Sequence, residues 1–276
     1  MDTQHYQVIR DLVRERAGIV LGEDKQYLVD SRMRSVCREF GCKGIPELIA
    51  AIRARKSGIE VAVVEALTTN ETQFFRDVHP FEALVKEVVP GMMTRNADRK
   101  KLRFWCAACS SGQEPVSLAI ALLESGLPLH GWDWSIRATD INKKMIERCQ
   151  AGFYSHLEIG RGFPEDKLET YFRSDAKGWT LRPKILDLLD YSTLNLTQEW
   201  RIPEPIDIVL LRNVLIYFSP ETKAKILNRV YRSMPPGGVL LLGTAESTLG
   251  LCDGFVPEVV GRTTIFRRAG AMARSA

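Results

Sequence analysis

Glu114 and Asp140 are acids standing where a chain of alternating strands and helices would meet a ligand. The apolar run of Leu102, Phe104 and Trp105 enters a turn of Ser110, Ser111 and Gly112. Directly after it, Pro115 opens a helix whose Val116, Ala119, Ile120 and Leu123 recur at i, i+3, i+4 and i+7. Small side chains at such a turn let a ligand come close to the backbone, beside the free N–H groups of the helix. Glu114 constrains that ligand, because a carboxylate there repels phosphate and tolerates a hydroxylated or cationic group. The turn therefore suits a nucleoside without phosphates. A second strand, Trp134 to Ala138, runs into Thr139 and Asp140, and an acid at that strand end sits where nucleoside-binding α/β folds hold a ribose. A plain helix N-cap is the alternative role for Asp140.

A third group of chemically loaded residues precedes the first strand. In Thr68 to Pro80, the polar Asn70, Thr72 and Arg76 are embedded beside Phe74 and Phe75, and they need partners if buried. Capping by Thr69 or Asn70 accounts for part of this stretch. It leaves Arg76 unexplained, with a structural ion pair to an acid as the competing role.

The elements that must position these residues divide the chain. From Tyr6 to about Met92 the patterns are helical: Ile9, Leu12, Val13 and Ala17 make one stripe ended by Gly18, and Val29, Met33, Val36 and Phe40 make a second. Helices are also expected over Pro46 to Arg55, Gly58 to Thr68 and from Pro80. Arg34 and Arg38 project together from the second helix, with Arg32 bordering its stripe. They read either as a solvated face or as a dock for an acidic helical partner, since arginine forks suit carboxylates.

Beyond the turn at 110–112, repeated strand and helix units imply a parallel sheet with right-handed crossovers. Asn142 opens a helix through Gln150. Ile206 to Leu211 is an apolar strand suited to burial on both faces, and Pro220 starts a helix to about Met234. Val239 to Gly243 is a further strand, and Thr263 to Arg267 can close the sheet as an edge. Phe153 to Ser192 interrupts the alternation with aromatic residues among charges, and Asp175 to Gly178 reads as a turn between short strands. The expected organisation is an α-helical domain at 1–76, then a ligand-binding α/β domain at 77–276 with a small β-subdomain inserted at about 160–192.

At 276 residues with a net charge of +4, the chain can bury a sizeable core and lacks the charge footprint of an obligate nucleic-acid binder. No apolar run approaches the roughly 20 residues that span a bilayer, and the start has no signal-peptide pattern, so a cytoplasmic protein is expected. Six cysteines show no disulfide framework. Cys106 and Cys109 form a C-x-x-C, but no second pair or nearby histidine completes a zinc site, and no metal is expected.

Several ordered motifs carry a family resemblance. Thr-Thr-Asn-Glu-Thr-Gln-Phe-Phe-Arg (68–76), Ala-Cys-Ser-Ser-Gly-Gln-Glu-Pro (108–115), Ala-Thr-Asp-Ile (138–141), Leu-Asn-Leu (194–196) and Leu-Arg-Asn-Val-Leu-Ile-Tyr-Phe (211–218) resemble the signatures of CheR chemotaxis receptor methyltransferases. The likeness extends to Gly18 to Arg34 in the helical part. It implies a class I S-adenosylmethionine-dependent methyltransferase domain, Rossmann-like with a mostly parallel sheet, behind an N-terminal all-α domain.

By that resemblance, Asn70, Thr72, Arg76, Glu114, Asp140, Asn195, Leu196, Arg212 and Asn213 surround the cofactor, and Arg76 and Tyr217 lie near the transferred methyl. The implied donor is S-adenosyl-L-methionine, leaving S-adenosyl-L-homocysteine. The implied acceptors are glutamate carboxylates on the cytoplasmic helices of chemoreceptors; Arg32, Arg34 and Arg38, read as a dock for an acidic helix, are the face expected to meet them. The Phe172 to Arg182 hairpin is shorter and poorer in glycine than in members that tether to a receptor's C-terminal pentapeptide, which speaks against tethering.

A glutamate with a pKa of about 4.3 is ionised at neutral pH, so transfer to it requires no general base. The lack of a Ser/His/Asp or metal constellation agrees with that. Core packing is the competing role for Tyr217. A nicotinamide dehydrogenase would want a G-x-G-x-x-G turn and room for pyrophosphate, whereas this turn offers one glycine and a repelling acid. A nucleic-acid methyltransferase is poorly supported by the dispersed basic residues. A weakly active cofactor-binding regulator, or a methyltransferase of another signalling pathway, remains the alternative.

Overall fold

The computed structural model describes residues 1–270. Four helices come first: α1 (Thr3–Ala17), α2 (Gln26–Phe40), α3 (Ile45–Arg53) and α4 (Ile59–Leu67). The expected stripes turn into one core, with α1 and α2 each packed on α3 and α4, and Ile9, Val13, Val29, Met33, Leu48 and Val63 share it. Asp2 caps α1 by accepting the His5 N–H, and Gly18, at φ 70, ends it in the left-handed conformation.

Residues 68–78 lead from this bundle to α5 (His79–Ala83), which continues through a π-helical turn at Leu84–Val88 into α6 (Val89–Arg95). Next come β1 (Lys101–Ala107), α7 (Gln113–Glu124), β2 (Asp133–Asp140) and α8 (Lys143–Ala151). A small antiparallel sheet follows, built from β3 (Phe153–Ser155), β4 (Phe172–Asp175) and β5 (Gly178–Leu181). The short helices α9 (His156–Ile159) and α10 (Leu168–Tyr171) lie between β3 and β4, and α11 (Pro183–Leu186) follows β5. The chain ends with β6 (Leu189–Thr193), β7 (Ile208–Leu211), α12 (Pro220–Ser233), β8 (Val239–Leu242), β9 (Phe255–Val260) and β10 (Thr263–Arg268).

Seven strands form one sheet in the order β6-β2-β1-β7-β8-β10-β9. From β6 to β8 every pairing is parallel, and β10 runs antiparallel to both β8 and β9. The expected mostly parallel, Rossmann-like sheet is thus present. Its strands alternate between two buried layers: Phe104, Cys106, Ile208 and Leu210 pack on one side, Trp105, Val209 and Leu211 on the other. The order reverses beside β1, between β2 and β7. Their carboxyl ends diverge into a crevice there.

Two expectations about the strands are corrected. The small sheet begins at Phe153, and Leu189–Thr193 pairs with β2 in the main sheet, so the insert is not 160–192. An edge strand of mixed exposure carries no continuous apolar run to reveal it. Likewise Thr263–Arg268 is an inner strand, and the edge is β9, whose Pro257 disguises it as a loop.

The helical bundle is fastened onto the sheet's carboxyl end. Asn142 Nδ2 donates to the Glu65 carbonyl at 3.2 Å and to Thr68 Oγ1 at 3.0 Å, while Glu65 Oε1 accepts the Lys143 N–H at 3.1 Å. Among the described residues, no helix is long and apolar enough to cross a membrane.

Candidate functional site

The loop after β1 is shaped by its backbone. Ala108 (φ 63), Ser110 (φ 51) and Gly112 (φ 92) turn left-handed in alternation, and the Cys109 and Gly112 N–H groups donate within the fold, to the Thr139 carbonyl at 2.9 Å and the Cys109 carbonyl at 3.0 Å. At Gly112 a Cβ would stand 2.9 Å from both Cys149 Sγ and the Tyr154 hydroxyl, so only glycine fits. Asp140 Oδ2 accepts the Ser110 N–H at 2.8 Å and Oδ1 accepts the Asn142 N–H at 2.9 Å. The N-cap of α8 is Asn142, which accepts the Met145 N–H, so the capping role considered for Asp140 falls to its neighbour. Burial pushes the Asp140 carboxyl above its ordinary value, against the pull of those N–H groups.

Arg212, at the end of β7, forms the opposite wall. Its guanidinium donates to Glu114 Oε2 at 2.9 Å, to Asp77 Oδ2 at 2.7 Å and to the Arg76 carbonyl at 3.0 Å, and it lies 5.8 Å from the centre of the Phe81 ring. Its side chain is 2% exposed. Burial raises the Glu114 carboxyl, and the Arg212 and Arg76 cations oppose that shift. Arg212 therefore braces the wall by neutralising Glu114 and Asp77. Asp77 escaped the sequence reading, because nothing local marks an acid whose partner lies 135 positions away.

Arg76 is the counterpart. Among the described residues its guanidinium has no ion pair and no hydrogen bond, so the structural pair considered for it does not form. Tyr217 lies on the turn after β7, and its hydroxyl likewise has no hydrogen-bond partner among the described residues.

All ten residues expected around the ligand line one cavity: Asn70, Thr72, Arg76, Glu114, Asp140, Asn195, Leu196, Arg212, Asn213 and Tyr217. Their freedom differs. The Asn195 amide donates to the Arg16 carbonyl at 2.7 Å and accepts the Thr197 hydroxyl at 2.8 Å, which ties it to the wall. Asn70 offers its carbonyl to the Ser110 hydroxyl at 2.8 Å. Asn213, at φ 58, gives its N–H to Glu246.

The cavity has a roof that sequence reading missed. Ala17 and Ile19, from the end of α1 and beyond, line it together with Leu67, Thr69 and Gln73. Ile19 pairs with Phe218, and the Val20 N–H donates to the Tyr217 carbonyl at 2.9 Å. No periodicity distinguishes such residues from core, since they meet the site only through tertiary packing.

Arg32, Arg34 and Arg38 stand outside this cavity. Arg32 donates to the carbonyls of Ala66 (3.3 Å) and Thr68 (2.8 Å), which commits it to holding the end of α4. Arg34 pairs with Asp30 at 3.0 Å, one helical turn away, and its side chain is 73% exposed. Arg38 is also exposed. Cys106 is fully buried in the core and its thiol is pushed well up by that burial. Among the described residues no group of His, Cys, Asp and Glu is arranged to hold a metal ion.

A family model described as "CheR methyltransferase, SAM binding domain" matches residues 70–257, and "CheR methyltransferase, all-alpha domain" matches residues 4–68. The chain is 40% identical over 255 residues to "Chemotaxis protein methyltransferase Cher2" of Pseudomonas putida, covering 91% of this chain and 92% of that relative. It is also 40% identical over 256 residues to "Chemotaxis protein methyltransferase 1" of Pseudomonas aeruginosa, with the same shares covered. A third relative, "Chemotaxis protein methyltransferase" of Vibrio parahaemolyticus, is 39% identical over 256 residues, again at 91% and 92%.

Proposed function

This chain belongs to the CheR methyltransferase family, and on that premise we propose that it esterifies glutamate side chains on the cytoplasmic helices of chemoreceptors. It is a methyltransferase of the chemotaxis type, and its cofactor is S-adenosylmethionine. When bound, that cofactor supplies an electrophilic methyl on a positively charged sulfur.

The residues present fit it. Asp140 lines the cavity with acceptor capacity left over from its two backbone N–H groups, which suits ribose hydroxyls. Glu114, held against Arg212 at 2.9 Å, lies at the polar periphery of the ligand. Asn195 and Leu196 frame the adenine, Asn195 by position because its amide is already engaged. Asn70, Thr72 and Asn213 complete the lining.

The observation that carries the reading is the unpaired Arg76 guanidinium in the same cavity as Glu114, Asp140 and Tyr217. A free cation there can orient an incoming carboxylate, and Tyr217 bounds the path of the methyl. The acceptor arrives ionised, so these residues have no proton to remove. Their work is alignment and exclusion of water, because opposite charges are neutralised on the way to the transition state. Arg34 and Arg38, exposed on α2, supply the docking face for acidic receptor helices. A pentapeptide tether is not part of this reading.

The test is incubation with methyl-labelled cofactor and a membrane fraction rich in chemoreceptors. Label on receptor bands that mild alkali releases as methanol is expected of a glutamate ester. Alkali-stable label would move the acceptor to another side chain. Absence of label, with intact binding of S-adenosylhomocysteine, would leave a cofactor-binding regulator.

A further inference from the structure

The loop after β8 holds a carboxylate that reaches under the methyl-proximal turn. Glu246 Oε2 accepts the N–H of Asn213 at 2.7 Å and that of Gly243 at 2.7 Å, and Oε1 accepts the N–H of Ile216 at 3.3 Å. The Asn213 and Gly243 amides lie just past the last ladder pair of β7 and β8, Leu211 with Leu242, and the Ile216 amide lies in the helical turn Leu215–Tyr217 beyond. No strand neighbour is left to take them. A carboxylate suits such orphans because hydrogen bonds to an ionised acceptor are short and strong.

The contact is built for closeness. At Gly243 a Cβ would come within 2.8 Å of Glu246 Oε2 and 2.9 Å of the Asn213 nitrogen. Asn213 is held at φ 58, a left-handed conformation that a non-glycine residue adopts at a cost. Glu246 lines a second cavity beside the cofactor pocket and does not line the pocket itself, whereas Asn213 and Tyr217 do. It cannot act by touching the ligand.

We propose that Glu246 is a positioning residue for methyl transfer, pinning the Asn213–Tyr217 turn so that Tyr217 faces the transferred methyl. The backbone of Tyr217 is then held from both sides, by Glu246 at the preceding N–H and by Val20 at its own carbonyl. The inference rests on the reading above, which makes Tyr217 methyl-proximal.

The experiment compares Glu246→Ala and Glu246→Gln with the wild-type protein in three measurements. These are kcat and KM for methyl transfer to receptor membranes, calorimetric affinity for S-adenosylhomocysteine, and amide hydrogen exchange over residues 211–218 and 243. The expected result for Glu246→Ala is a kcat lower by at least about tenfold, with cofactor affinity within about threefold, because alignment rather than binding is lost. Exchange at Asn213 and Gly243 should quicken by roughly tenfold or more. Glu246→Gln, whose amide oxygen can still accept the Asn213 and Gly243 N–H groups while its NH2 replaces the acceptor of the Ile216 N–H, should keep exchange at Asn213 and Gly243 near wild type and recover part of the lost kcat. Should Glu246→Ala fail to fold, Glu246→Asp, one methylene too short to bridge both loops, replaces it, with the same expected fall in kcat and the same quickening of exchange, and with unchanged values overturning the proposal.

Unchanged kcat in Glu246→Ala, or equal falls in kcat and cofactor affinity, overturns the proposal, as does unaltered exchange at Asn213. Wild-type protein that binds S-adenosylhomocysteine but methylates no receptor would strike the functional reading instead. The exchange comparison still decides whether Glu246 pins the turn.

Discussion

Each end of the parallel strands buries one aspartate, and the two are held differently. At the amino end, Asp207 is 1% exposed and accepts from Asn96 Nδ2 at 3.1 Å, from the Arg99 guanidinium and from the Arg103 N–H at 2.9 Å. Side chains from the end of α6 and beyond are brought in to satisfy it, which welds that segment to β7. At the carboxyl end, Asp140 is 7% exposed and is held only by backbone N–H groups of the adjoining turns. A carboxylate offers about four acceptor sites, so capacity is left facing the cavity.

Strain divides the same way. Left-handed non-glycine residues gather at the carboxyl end, at Phe75, Asp77, Val78, Ala108, Ser110 and Asn213, with Lys100 the one near the amino end of β1. The two arginines of the site repeat the contrast at short range: Arg212 is paired on both sides, and Arg76 has no ion pair among the described residues. An end whose polar groups satisfy each other is a weld. An end that keeps acceptors and a cation unspent, on strained turns, is a site.

That comparison can be broken. Asp140→Ala should lower affinity for S-adenosylhomocysteine by about 100-fold, since hydrogen bonds to a charged group are worth roughly 1.5–3 kcal/mol each. Micromolar binding retained in calorimetry would take the ribose away from this residue. Next in size, Arg76→Ala should reduce kcat by roughly tenfold or more while cofactor affinity changes little. A parallel fall in both would make its task binding.

At the other end, Asp207→Asn should cost about 1–3 kcal/mol of stability, seen as a lower denaturation midpoint. Cofactor affinity of the folded protein should be unchanged. A specific loss of affinity would show that the two ends are coupled. Smallest of all, reversing charge at Arg34 and Arg38 together should slow receptor methylation several-fold at low salt and less at high salt, as screening requires. A rate indifferent to both changes would return them to a solvated face.

The strand, turn and helix around Ser110 to Gly112 were legible because their signals are local: an apolar run, small residues, then a helical period begun by Pro115. The helical bundle was legible for the same reason, its stripes turning into one core where α1 and α2 each pack on α3 and α4. Strands β6 and β9 were not, since an edge strand buries too little to impose alternation, and Pro257 reads as a breaker. For the site, residues embedded in motifs all reached one cavity. Asp77, which pairs with Arg212, Ile19, which lines the roof, and Glu246, which accepts the Asn213 N–H, carry no mark in their own surroundings.

Composition and order alone therefore settled the kinds of elements, the run of parallel strands and the acids at their ends, because these follow from backbone sterics and from the periods of 3.6 and 2. Only the tertiary structure decided which arginine is spent and which is free. Charge pairing depends on distances between atoms far apart in the chain: Arg212 meets both acids within 3 Å, while Arg76 forms no ion pair among the described residues.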